Sequence, residues 1–160
     1  MIYLIGLILC GGLVYLDQYT KWLAATQLRR PYGPGYREFI PNILGFEFHT
    51  NTGAAFGILD GWRWFFLAIT LLIVTLIIFF YIKLPKNRVS NITRIFMAVL
   101  AAGALGNGID RLLHGEVVDF LKIEFMNFPI FNLADVYVVI STIVLAVLLI
   151  FFFREEPKKG

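Results

Sequence analysis

Long apolar runs separated by short polar stretches dominate the chain. Four of these runs approach the ~20 apolar residues needed to cross a hydrocarbon core of about 30 Å. They cover roughly Ile2 to Leu28, Trp64 to Ile82, Ile92 to Leu112 and Phe131 to Phe153. The second has no ionisable group between Trp64 and Ile82, and its leading WRW sets amphipathic rings at a membrane surface. The first, third and fourth each carry carboxylates. The pattern predicts an all-α membrane protein of one domain, residues 1–160, with four transmembrane helices.

The stretch from Arg29 to Gly61 differs in kind. Pro31, Gly33, Pro34, Gly35, Pro41 and Gly45 break any helix, while Tyr36 to Ile40 and Ile43 to Phe48 have the length and composition of strands. This predicts a small extramembrane β-rich element between helices one and two, a hairpin or sheet packed on the membrane face. The loop from Lys83 to Arg94 is short and basic, the loop from Leu113 to Ile130 is mixed, and the tail from Arg154 is polar. No repeat or second domain is visible. The apolar opening, Ile2 to Leu16, has signal-peptide length, but it lacks a basic leader and a small-x-small cleavage site. A retained helix is expected.

With four spans both termini share one side, so helices one and three end where helices two and four begin. Asp17 is late in helix one, Asp110 late in helix three, Asp119 in the loop that follows, and Asp135 at the start of helix four. All four carboxylates therefore lie toward one face. At 1.5 Å per residue Asp17 sits about 22 Å along its helix, inside the membrane near that face. A charge at the bilayer centre costs about 2.5–3.5 kcal/mol even on lenient scales, so several acids gathered at one side need a reason. Lys and Arg divide equally between the two sides, seven and seven. The density of the loop from Lys83 to Arg94, four basic residues and no acid, places that loop in the cytoplasm and the carboxylates toward the outside.

Composition narrows the chemistry. The chain is 59% hydrophobic and 16% charged, against roughly 45–50% and 25% in soluble domains. A net charge of +3, scattered along the chain, does not fit nucleic-acid binding. Cys10 is the only cysteine and lies in an apolar run, which excludes an internal disulfide and a cysteine-based zinc site. His49 and His114 stand in different loops without a second ligand motif, and no HExxH or Ser/Cys–His triad is apparent. No metal or cofactor is expected.

The carboxylates have near neighbours. Asp17 and Lys21 are four apart on one helix, either as an ion pair that lets both be buried or as groups that steer a substrate. Asn107, Asp110 and Arg111 follow a small-residue stretch in which Gly103 and Gly106 allow close helix approach. Asp110 either pairs with Arg111 or leaves it free to hold a peptide carbonyl. Asn132 and Asp135 suit the cap and first turn of helix four, and they also suit a site. Asp119 is a lone acid among apolar residues, where burial raises a carboxyl pKa. Two close carboxyls in a dry site share a proton, one activating water and the other polarising a carbonyl, and this is the proteolytic chemistry the inventory supports.

Five segments together, DQYTK (Asp17 to Lys21), NTGAAFG (Asn51 to Gly57), GALGNGIDR (Gly103 to Arg111), VVDF (Val117 to Phe120) and FNLAD (Phe131 to Asp135), resemble lipoprotein signal peptidase, or signal peptidase II. The resemblance runs over nearly the whole chain. It implies a bacterial cytoplasmic-membrane aspartic endopeptidase with both termini in the cytoplasm and its site near the outer leaflet. The implied substrate is a diacylglyceryl-modified prolipoprotein, cut just before the lipidated cysteine, with membrane lipid as surroundings and no obligate protein partner. Globomycin would inhibit it. The implied dyad is Asp119 and Asp135. Asn51, Gly53, Asn107, Arg111 and Asn132 would line the pocket, Asp17, Lys21 and Asp110 would support it, and the segment from Arg29 would form a cradle over the substrate. Ala102 stands where such sequences often carry glycine, which puts one helix contact in question.

Two other classes compete. A four-helix transporter would use intramembrane acids for protons or cations, but its essential acid belongs near the midplane rather than at one face. A scaffold without chemistry leaves the buried acids unexplained.

Overall fold

The computed structural model describes residues 1–29, 33–53 and 58–152. Parts of four features singled out above lie outside them: Pro31 of the helix-breaking stretch, Ala54 to Gly57 of NTGAAFG, Phe153 at the end of the fourth run, and the polar tail. Along the chain run α1 (Ile2–Gln27), β1 (Tyr36–Ile40), β2 (Leu44–Asn51), α2 (Arg63–Lys83), α3 (Arg88–His114), β3 (Val117–Ile123) and α4 (Leu133–Phe152). All four helices are long and apolar enough to cross a membrane. The outward side chains of α2, such as Trp64, Leu71 and Phe79, are exposed in the isolated chain, as a lipid-facing helix requires.

Helix α3 is the hub, packing against α1, α2 and α4. Its small residues make this possible. A Cβ on Gly103 would stand 2.6 Å from the Ala134 carbonyl oxygen, and one on Gly106 would stand 2.5 Å from Asp17 Oδ2. Ala102 is fully buried, so its methyl fits where glycine was in question. Asn87 caps α3 by accepting from the Ser90 N–H at 2.8 Å, and Gly115 closes the helix at φ 83°.

The helix α3 therefore starts before Ile92, and Arg94 does not belong to a loop. It is fully buried inside α3 and donates to the carbonyls of Tyr81 in the last turn of α2 and of Leu84 and Pro85 just beyond it. Its guanidinium satisfies carbonyls that the end of a helix leaves unpaired. Arg94 thus acts as a structural clamp as well as part of the basic count.

The β-rich element exists, but it is larger than a hairpin between helices one and two. The sheet is antiparallel in order β1-β2-β3, and its third strand comes from the segment after α3. Asp119 is accordingly in a strand, paired in register with His49, rather than in a loop. Phe120 packs on Ala24 and Leu28 at the end of α1, with Phe46, Phe48 and Leu133 around them. Beyond β3 the chain turns back: the Phe120 and Leu121 N–H groups both donate to the Phe131 carbonyl, at 2.9 and 2.8 Å. This fold-back presses Asn132, and the start of α4, against β3.

A candidate active site where four elements meet

Each polar side chain of the site is delivered by a different local rule. Strand β3 alternates its faces, so Val117 and Asp119 share one side, and Asn51, opposite Val117, lies diagonal to Asp119. Asn51 Nδ2 reaches Asp119 Oδ2 at 3.3 Å. At the start of α4, Asn132 Oδ1 accepts from the Asp135 N–H at 3.0 Å, and Asp135 Oδ2 accepts from the Asn132 N–H at 3.1 Å. This reciprocal capping box fixes both residues.

The same Asn132 spans the two acids. It is fully buried, and its Nδ2 donates to Asp119 Oδ1 at 2.6 Å while its backbone holds Asp135. Asn107 Nδ2, from α3, donates to the other oxygen of Asp135 at 2.7 Å. Asn107 Oδ1 in turn accepts from Asn132 Nδ2 at 3.1 Å and from Lys21 Nζ at 3.0 Å. Both carboxyls line one cavity of about 580 Å³, together with Asn51, Gly53, Asn107 and Arg111, and with Val136, Val139 and Ile140 along α4.

Electrostatics separate Asp119 from an ordinary carboxylate. Burial pushes its pKa up to about 7, with the nearby charge of Asp135 second and the bonds from Asn132 and Asn51 opposing. At neutral pH the carboxyl therefore carries a proton for much of the time.

Behind the cavity lies a buried ionic cluster. Lys21 Nζ sits 2.8 Å from Asp17 Oδ2 and 2.9 Å from Asp110 Oδ2. Asp17 Oδ1 also accepts from the Ala134 N–H at 2.9 Å, a second bond to the first turn of α4. The pairing of Asp17 with Lys21 is present, but Asp110 does not pair with Arg111. Consecutive helical residues point about 100° apart, so Asp110 faces α1 while Arg111 faces the cavity. There Arg111 donates to the Gly53 carbonyl at 2.8 Å and lies 4.5 Å from the Phe66 ring centroid.

Two residues escaped the sequence reading. Gln18 Nε2 donates to Asp110 Oδ1 at 2.8 Å and to the Gly106 carbonyl at 3.1 Å, joining α1 to α3. Its only sequence signal was a polar side chain beside Asp17 in an apolar helix. Phe66, beneath Arg111, gave no signal among so many aromatics.

Spanning helices that gather buried carboxylates and their amide donors around one cavity define a polytopic membrane protein with a paired-acid site. Known proteins narrow this further. Residues 9–152 match the family described as Signal peptidase (SPase) II. A lipoprotein signal peptidase of Staphylococcus carnosus (strain TM300) is 42% identical over 154 residues, 95% of this chain and 94% of the relative. One from Shouchella clausii (strain KSM-K16) is 43% identical over 136 residues, 84% of this chain and 83% of the relative. A bacterial membrane enzyme solved by the in meso method at 2.3 Å superimposes with a TM-score of 0.82 at 35% identity, covering 98% of this chain and 93% of its own. The chain belongs to the signal peptidase II family.

Proposed function

We propose that this protein is an aspartic endopeptidase that removes signal peptides from diacylglyceryl-modified prolipoproteins, cutting on the N-terminal side of the lipidated cysteine. The observation that carries this reading is that Asp119 and Asp135, both at the wall of one cavity, are bridged from behind by one fully buried residue, Asn132, which does not itself line the cavity. Family membership supplies the substrate class, since the relatives are named lipoprotein signal peptidases.

The chemistry follows from the two environments. Asp119, with its carboxyl raised to about 7, carries the shared proton and donates a hydrogen bond to the scissile carbonyl. Asp135, held by Asn107 and the Asn132 backbone, takes a proton from water as its oxygen attacks the carbonyl carbon. Asp119 gives its proton to the carbonyl oxygen to complete the tetrahedral diol and recovers it as the diol collapses; the C–N bond breaks, and the proton taken by Asp135 passes to the leaving amine of the cysteine. Arg111 and Asn51 orient the peptide, and Asp17, Lys21 and Asp110 hold α1, α3 and the start of α4 in place.

The apolar stretch of cavity wall along α4 suits a substrate whose acyl chains stay in the bilayer, with the site near the outer leaflet and both termini in the cytoplasm. Reporter fusions at Gly33 should read external and at Lys86 cytoplasmic, and the reverse result would invert this topology. The direct test incubates the purified protein with a lipidated precursor and with its unlipidated form. Each buried CH₂ is worth about 0.8 kcal/mol, so loss of two acyl chains should nearly abolish cleavage. Equal rates on both forms, or a product mass that places the cut elsewhere, would overturn the proposal. Globomycin should block the reaction.

A further inference from the structure

Next to the catalytic cavity lies a second one, of about 360 Å³, which the proposed chemistry does not use. The two share a wall of Asn51, Pro129 and Ile130. Beyond that wall their characters part. The first runs along α4 past Val136 and Ile140, side chains of a membrane-spanning helix, whereas the second is edged by His49, Thr52 and Asp60, all exposed. His49 is the register partner of Asp119 across β2 and β3, so this polar cavity opens one strand away from the proposed dyad.

A peptide cut at Asp119 and Asp135 has two unlike halves: an apolar signal sequence in the bilayer and a polar chain leading into water. We propose that the second cavity is the subsite for the chain that follows the lipidated cysteine, and that Asp60 makes it favour basic over acidic side chains there. The inference rests on the endopeptidase reading and adds a specificity determinant to it. An extended chain advances about 3.3 Å per residue, so the first few residues past the cut span the shared wall and reach the far edge. Among the described residues, Asp60 is the one carboxylate lining that cavity. The Thr52 hydroxyl donates to Asp60 Oδ1, which sets the direction of the carboxylate and leaves further lone pairs for a ligand.

The test uses lipidated precursors with Lys, Ser or Glu at the second position after the cysteine, assayed in an uncharged detergent. An exposed ion pair gives a preference of about three- to fivefold, so the Lys precursor should have a KM lower than the Glu precursor by that factor, at equal kcat. The preference should shrink at high salt. Asp60→Asn should flatten it, and Asp60→Lys should invert it. Cleavage of all three precursors with equal KM, or a preference that persists in Asp60→Lys, would overturn the subsite alone. No cleavage of any precursor would overturn the peptidase reading, and the subsite with it.

Discussion

Replacing Lys21 with methionine should damage this protein more than removing either of the acids it serves. The ammonium is 3% exposed and lies within 2.9 Å of carboxylates from α1 and α3, so the substitution leaves Asp17 and Asp110 buried together without a cation. Breaking a buried pair from one side costs about 3–5 kcal/mol, or roughly 6–20 °C in melting temperature for a chain of this size. Asp110→Asn is milder, because Lys21 keeps Asp17 and the amide keeps an oxygen for Gln18. The double variant Lys21→Met/Asp110→Asn should be more stable than Lys21→Met alone, since it buries one unpaired charge instead of two. Tryptophan fluorescence during thermal unfolding in detergent reads all three. Precursor cleavage by the folded fraction of Lys21→Met should also fall, because Lys21 holds Asn107, and Asn107 holds Asp135. A melting temperature for Lys21→Met within about 2 °C of wild type, or Asp110→Asn as the least stable of the set, would show that Lys21 is not what holds the buried acids.

Other outcomes follow from the same geometry. Asp119 has its folded pKa raised from 3.8 to about 7, so its contribution to stability is full below about 3.8 and is lost as pH rises through about 7. Melting temperature measured against Asp119→Asn should show that window, and kcat/KM should fall above about pH 7 as the pair loses its shared proton. Asn132→Ala removes a bond that lowers the Asp119 pKa, so the alkaline limb of its residual activity should move to higher pH. Its melting temperature should also drop with the lost cap, worth about 0.5–2 kcal/mol. Gly103→Val drives a side chain into the Ala134 carbonyl and Val138, so α4 must shift; unfolding temperature and cleavage should both fall.

The helices were legible because an apolar run of membrane length is a local signal, and so was the gathering of acids, which needs only parity. The strand β3 was not: VVDFLKI becomes a strand by pairing with β2, and nothing local announces a partner so far away in sequence. The bond from Asn51 to Asp119 depends on that register and was hidden with it. Spacing leaves open whether Asp110 pairs with Arg111 or leaves it free; the direction in which α3 points the two side chains decides it, toward Lys21 for Asp110 and toward the Gly53 carbonyl for Arg111. Arg94 counted as a loop charge because its value lies in capping a different helix. Asn132 was recognised as a cap, yet its second role, joining two acids, appears only when the fold-back at Phe131 brings β3 to α4.

Whether Asp119 and Asp135 together perform the cut is read from turnover of a lipidated precursor by Asp119→Asn and Asp135→Asn, each purified as folded protein. Asparagine keeps the size and one of the two acceptor oxygens but cannot take or give the proton, so each variant should still unfold cooperatively and cleave at least 10²-fold more slowly. Near-normal turnover by either folded variant would remove that residue from the dyad.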